Sequence, residues 1–295
     1  MGCMLMHEPV LLHEVIKVLD PKLGEFFIDG TVGGGGHAAA IAKYLGVNGR
    51  ILAVDVDDEA VKRVATEFKI LNLKFKIFHA NYTEIEEILK KEKMPKADGL
   101  LLDLGFSSFQ IDDPKRGFSF LHDAPLDMRY NVMEGNVSAA HVVNGMSETE
   151  LSDIFWKYGE ERWSRVIAKK IVAERRKRKI GTTRELAEIV EKTISRGRIH
   201  PATKIFQALR IYVNKELENI ETITREIPDV IAKDGRVAII SFHSLEDRIV
   251  KNVFRDLVKS KKAVFINKKP IIPTRAEILR NPRSRSAKLR AIQII

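Results

Sequence analysis

The segment FFIDGTVGGGGH at 26–37, followed by ILAVD at 51–55, constrains the fold of this chain more than any other. It reads as an apolar strand ending in Asp29, four consecutive glycines, a helix opening near His37, and a second strand ending in Asp55. That order is the layout of a nucleotide-type cofactor site at the edge of a parallel sheet. Glycine tolerates positive φ and lets the backbone approach a ligand closely. A helix start offers unpaired N–H groups to a carboxylate or phosphate. Asp55 lies 19 residues past Gly36, where an acid accepts hydrogen bonds from ribose hydroxyls.

The glycines alone leave the cofactor open. Gly33, Gly35 and Ala38 satisfy the loose G-x-G-x-x-G/A pattern, so an NAD(P)-dependent oxidoreductase is allowed. Asp29 argues the other way. A carboxylate at the tip of the first strand attracts an ammonium or a sulfonium and repels a pyrophosphate. S-adenosylmethionine carries both cationic groups, which tilts the reading toward a methyl donor.

The chain has 295 residues, room for one large domain or two ordinary ones. Strands are expected at 25–29, 50–55, 74–79 and 98–104, with helices at 37–45, 58–69 and 83–93. Runs such as GLLLDLG suit a sheet covered on both faces. From 107 to 214 the alternation stops. A turn-rich stretch at 107–147 precedes helical patterns at 148–157, 160–179, 183–196 and 202–222, the last read as a single long helix. The α/β pattern resumes with a strand at 235–243, a helix at 246–259 and a strand near 288–294. The fold class expected is α/β, a Rossmann-like methyltransferase sheet with an inserted helical domain. Residues 1–106 and 215–295 form the two parts of the sheet domain and 107–214 the insertion. The insertion is expected near the carboxyl ends of the strands, where ligands bind in such folds.

The only cysteine is Cys3, so there is no disulfide framework and a cytoplasmic setting is expected. No apolar run approaches the roughly 18 residues of a membrane span. The eight histidines include no H-x-x-x-H pair, so metal catalysis has no support. The net charge is +10, and 257–295 holds 11 Lys and Arg against one acid, Glu277. A second cluster, ERRKRK, stands at 174–179. Concentrated basic charge suggests a polyanion partner, nucleic acid before membrane. Arg283, Arg285 and Arg290 are the tail arginines expected to meet it.

Several constellations can carry chemistry. Asp103 ends the fourth strand and is the candidate acceptor of a proton from an amine; its plainer use is an N-cap. In 105–131, Gln110 can bond an adenine edge or a carboxylate, and Arg116 and Arg129 can hold phosphate or carboxylate groups, while Phe106, Phe109, Phe118 and Phe120 serve to anchor a packed loop. His243 and Ser244 close another central strand. Ser244 with Asp247 reads as an S-x-x-D cap, and His243 is a candidate substrate contact. Lys204, Arg210 and Lys215 lie around the 200–221 helix, and display to RNA competes with a solvated face.

These blocks together resemble a known family. HEPVLLHEV at 7–15, DGTVGGGGH at 29–37, LLDLGFSS at 101–108, RGFSF at 116–120, PLDMR at 125–129, YGEER at 158–162, HPATKIFQALRIYVN at 200–214, ISFHSLEDRIVK at 240–251 and NPRSRSAKLR at 281–290 match, in order, the bacterial 16S rRNA cytosine-N4 methyltransferase family (RsmH, formerly MraW). The resemblance implies methyl transfer from S-adenosylmethionine to the exocyclic N4 of a cytidine in the decoding region of 16S rRNA, in the small ribosomal subunit. It implies Gly34, Gly35, Gly36, His37, Asp55, Asp103 and Gln110 as cofactor residues, with Tyr82 beside the adenine. Arg129, Lys204, Arg210 and His243 are the expected substrate contacts. Many amino-methyltransferases carry D/N-P-P-Y/F at the fourth strand. DLGF stands here, so backbone carbonyls compete with Asp103 for the acceptor role. No metal is implied, and a homodimer is allowed. A small-subunit assembly factor without turnover is the rival that keeps the same site.

Overall fold

The computed structural model describes residues 9–70, 74–105, 110–111, 113–132, 135, 137–194, 197 and 200–295. Phe106, Phe109 and Cys3 lie outside the described residues. The chain divides into two compact units, Met1–Gly105 with Leu217–Ile295, and Phe106–Glu216.

The first unit is built on seven strands: β1 Phe26–Asp29, β2 Arg50–Asp55, β3 Phe75–His79, β4 Ala97–Asp103, β5 Ile231–Ser241, β6 Ala263–Phe265 and β7 Lys288–Ile294. Their order in the sheet is β3-β2-β1-β4-β5-β7-β6. β1 to β5 pair in parallel, and β7 runs antiparallel to both β5 and β6. The strand order reverses between β1 and β4, the place where open α/β sheets bind ligands.

Alternate strand residues enter opposite cores, because successive side chains point to opposite faces. Phe26, Ile28, Leu52, Val54, Leu100 and Leu102 join one cluster, covered by Ile85 and Ile88 of α4 (Ile85–Lys91), Ile220, Ile223 and Ile227 of α10 (Glu216–Val230), and Val250 and Phe254 of α11 (Ser244–Lys259). Phe27, Ile51, Ala53 and Leu101 join the other, covered by α1 (Leu12–Leu19), α2 (Gly36–Leu45) and α3 (Asp58–Ile70) through Val15, Ile41, Val64 and Phe68. On α3, Ala60, Val64 and Phe68 form the buried stripe. A short 3-10 turn, Tyr82–Glu84, leads into α4 behind a capping box of Asn81 and Glu84.

The second unit is helical: α5 Ala139–Gly145, α6 Glu148–Gly159, α7 Ser164–Arg175, α8 Thr183–Thr193 and α9 Ala202–Asn214. Capping boxes at Ser147/Glu150 and Thr182/Glu185 fix the starts of α6 and α8. Its interior is lined by Val142, Leu151, Phe155, Ile167, Ile171, Leu186 and Leu209.

The structure corrects several boundaries. The single helix expected over 202–222 is two, because Lys215 stands in the left-handed region at φ 51 and its N–H caps Ile211 and Tyr212. The helix expected over 160–179 is the shorter α7, and the turn-rich 107–147 contains α5. In the C-terminal stretch β6 and α12 (Arg275–Arg280) accompany β7. The S-x-x-D cap also shifts by one residue. His243, not Ser244, is the N-cap of α11, with Glu246 completing the box.

Candidate active site

The carboxyl ends of β1, β2 and β4 bring three acids to one sheet edge. Register places Asp29 opposite Ala53 and Leu101, and β2 and β4 each run two residues further, to Asp55 and Asp103. The glycine turn closes over this edge. The Val32 N–H donates to the Val54 carbonyl at 3.1 Å and the Gly35 N–H to the Val32 carbonyl at 2.6 Å. Gly33 and Gly35 have φ of 50° and 76°. A Cβ on Gly35 would stand 2.9 Å from Cε2 of Phe68, so glycine is required there for space as well as conformation. Gly35 is also the N-cap of α2 and supplies no side-chain cap, leaving this helix end to a ligand. Gly34 and Gly36 complete the turn into α2.

Each acid is held differently. The Asp29 side chain is buried and accepts from the Thr31 N–H at 3.1 Å. Burial pushes its carboxyl up to about 7, against the lowering pull of His37 and Thr31, with Asp103 and Asp55 adding to the rise. Asp55 accepts from the Gly33 N–H at 2.8 Å and the Asp57 N–H at 2.9 Å. Burial raises it to about 6 despite those two bonds, the charge of Asp57 adds to the rise, and Arg63 opposes it. The Asp103 backbone N–H donates to Oγ1 of Thr31 at 2.6 Å. Its Oδ2 stands 3.6 Å from Nε2 of His37, and its Oδ1 is buried with no hydrogen-bond partner among the described residues. Both ring nitrogens of buried His37 are likewise without a hydrogen-bond partner among the described residues.

Orphaned buried polar atoms are costly, and these cluster where a ligand would satisfy them. An acceptor-rich edge of three carboxylates fits a ligand with cationic groups and a ribose diol. Tyr82 borders the edge; a Cβ on Gly30 would meet its Cβ at 3.3 Å. The site residues present therefore fit S-adenosylmethionine. Thr31 and Asp57 were not singled out in the sequence. Thr31 bridges Asp29 and Asp103. Asp57 braces Asp55 and caps α3 through the Glu59 N–H at 3.2 Å. The run DVDDEA before an amphipathic helix was the signal available for the latter.

The expected substrate contacts fare unevenly. His243 stands two residues past β5, at the N-cap of α11 in the first unit, where Nδ1 accepts from the Glu246 N–H at 3.4 Å and Nε2 stands 3.2 Å from a Glu246 carboxylate oxygen. In the second unit Gln110 is buried. Arg129 forks onto Asp127, with Nε donating at 2.8 Å and Nη2 at 2.7 Å. Burial opposes ionisation of Asp127, but Arg129 outweighs it and holds the carboxyl below its usual range. Arg116 donates to the Tyr130 carbonyl at 2.8 Å, bracing this loop. Lys204 is exposed at its end and donates to the Glu160 carbonyl at 3.1 Å. Arg210 contradicts its expected display. Its side chain is 11% exposed and bonds Glu216 through Nε at 2.8 Å and Nη2 at 3.0 Å. Arg290 is corrected likewise: it lies inside β7 and donates to Asp247 at 2.7 Å, beside Lys288 at 3.1 Å.

The sequence model of the MraW methylase family matches residues 4–295. Ribosomal RNA small subunit methyltransferase H of Dictyoglomus turgidum is 42% identical, covering 97% of this chain and 96% of its own. The protein of the same name from Syntrophus aciditrophicus is 44% identical, with 98% of each chain covered. That from Ehrlichia chaffeensis is 43% identical over 97% of this chain and 99% of its own.

Proposed function

This chain belongs to the MraW methylase family, and from that premise we propose that it methylates small-subunit ribosomal RNA on the exocyclic N4 of a cytidine in the decoding region, with S-adenosylmethionine as donor. The rRNA substrate follows the names of relatives matched over nearly their whole length. The cluster of Asp29, Asp55, Asp103 and His37 around an uncapped helix start is the observation that carries the chemistry.

When bound, S-adenosylmethionine supplies an already reactive methyl group, so the protein's task is alignment and proton management. Asp55 accepts the ribose hydroxyls on lone pairs left by Gly33 and Asp57. The turn Gly33–Gly36 would let backbone meet the ligand, the open end of α2 at His37 would face its carboxylate, and Tyr82 would lie beside the adenine. Asp29 balances cationic charge. Cytosine N4 is a weak nucleophile because its lone pair is delocalised into the ring. Oδ1 of Asp103, without a hydrogen-bond partner among the described residues, would accept an N4–H hydrogen bond, and then the proton that N4 gives up as it takes the methyl group and the donor's sulfonium leaves as a neutral thioether. The second unit, Phe106–Glu216, is the recognition unit, with Lys204 as an RNA contact and Arg129, forked onto Asp127, as a loop brace. His243 orients the start of α11 and contacts the target base. Extruding that base costs a few kcal/mol, offset by phosphate contacts.

The test uses small ribosomal subunits lacking the modification and S-adenosylmethionine labelled in its methyl group. Label in the rRNA, mapped by nucleoside mass spectrometry to N4 of one cytidine, is the expected result. Label on a ribose 2′-hydroxyl or elsewhere on a base would overturn the N4 assignment. Cofactor binding without any transfer would favour the assembly-factor reading.

A further inference from the structure

We propose that the outward face of α7 is a docking surface for the phosphate backbone of double-stranded RNA, anchored by Arg165, Lys169 and Arg176 and flanked by Trp163. The proposal rests on the rRNA reading above for the identity of the polyanion, and on the geometry of the second unit for the surface itself.

Between Arg162 and Lys179 the chain holds nine Lys and Arg against one acid, Glu174. That acid is taken by Lys170 at 2.8 Å and Lys177 at 3.1 Å. Arg162, Arg165, Lys169 and Arg176 are exposed and make no ion pair among the described residues. Arg165 and Lys169 stand four residues apart on one helix face, an arrangement that repels and lowers the stability of the helix. The helix tolerates it because its other face, Ile167, Ala168, Ile171 and Val172, is buried in the unit. An uncompensated row of this kind gains stability when a polyanion supplies the missing charge.

The shape of the row selects the partner. At 1.5 Å per residue, Arg165 to Arg176, the C-cap of α7, spans about 16 Å. Fixed cations at fixed spacing suit the regular phosphates of a duplex, whose A-form grooves are read by shape and backbone. A single strand is gripped instead by a series of stacked aromatics, and here one ring, Trp163, 58% exposed, stands at the row's start, with Val166, 48% exposed, beside it. Trp163 is placed to stack on an unpaired base where the duplex ends. A membrane surface fits poorly. An interfacial helix buries its apolar face in lipid, and the apolar face of α7 is already used.

Binding is measured with a fluorescent RNA hairpin of about 16 base pairs, the span a double-stranded RNA module covers, across a salt series. The triple variant R165Q/K169Q/R176Q is expected to bind roughly 30- to 100-fold more weakly at about 0.15 M salt, with the slope of log K against log salt shallower by about 2 to 3. Its S-adenosylmethionine affinity stays at the wild-type value, and its melting temperature does not fall, since the i,i+4 repulsion is relieved. The charge-preserving variant R165K/K169R/R176K restores the slope, which a purely structural role would not require. Unchanged affinity and slope in the glutamine variant overturn the proposal, as does a wild type that does not bind the hairpin. Loss of binding to phosphatidylserine vesicles with the hairpin unaffected would also overturn it, in favour of a lipid surface. The two readings fail separately. A shallower slope in a protein that transfers no methyl to small subunits removes the enzymatic reading and leaves the dock. Normal methyl transfer with an unaltered slope does the reverse.

Discussion

Asp103 is fixed through its backbone and unpartnered at one carboxylate oxygen: its N–H is bonded to Thr31 while buried Oδ1 has no partner among the described residues. That combination suits a group that must accept a proton without moving. Asp103→Asn keeps the shape and removes the charge. It is expected to lower turnover by about 100-fold or more, the scale of general acid–base catalysis, with cofactor affinity changed much less. Full activity in a single-turnover assay would transfer the acceptor role to backbone carbonyls. The raised acids give a pH dependence with a definite sign. Free carboxyls titrate near about 3.9, whereas Asp29 sits at about 7 and Asp55 at about 6. Between those limits the folded protein binds more protons than the unfolded chain, so stability falls as pH rises through the window. A cationic ligand favours the ionised carboxylates. Affinity for S-adenosylmethionine should therefore climb from about pH 5.5 to 7.5 and then level, with protons released on binding. Calorimetry in two buffers of different ionisation enthalpy measures that release, and a flat affinity with no release contradicts the assignment. Asp29→Asn should remove the upper part of the rise.

Between α9 and α10 the chain turns at Lys215, and the turn is what brings Glu216 back onto Arg210 six residues earlier. Tyr130 also donates to Glu216, at 2.9 Å. This is a buried ion pair with a third bond, and its removal on one side strands a charge. Arg210→Met should cost about 3–5 kcal/mol, while the double change R210M/E216L should cost much less. Urea midpoints of the two variants decide it; equal losses would mean the pair is not coupled. The apolar spacing Ile205, Leu209, Val213, Leu217 and Ile220 was legible, and it continues through the break. Lys215 gave no warning, because a left-handed residue is usually glycine or asparagine. The Asn214 that precedes it was the nearest local signal. Its side chain instead accepts from the Tyr130 N–H and donates to the Met128 carbonyl.

Across the sheet, the last strand in sequence is not at the edge. β7 lies between β5 and β6 and places Leu289 and Ala291 in one core and Ile292 and Ile294 in the other. Removal of residues 282–295 should therefore abolish cooperative folding of the first unit and not merely its RNA affinity. Circular dichroism melting of the truncated chain tests this, and a full-length-like transition would refute it. The same strand explains why part of the basic tail is not left for a partner. Burial opposes ionisation of Asp247, but Arg290 and Lys288 outweigh it and hold the carboxyl below its usual range. These two cations therefore neutralise an acid of the fold itself.

By itself the amino-acid order determined the β–α alternation, the glycine turn, the acids at the strand ends and the run of cations after Arg162, because each is written in neighbouring residues through period, propensity or turn chemistry. Tertiary structure alone decided the place of β7, the bend at Lys215, and which basic groups remain for a partner. Arg290 meets an acid 43 positions away and Asn214 a backbone 84 positions away. Charge is a property of the residue, but whether it is already neutralised depends on contacts that the fold makes between distant segments.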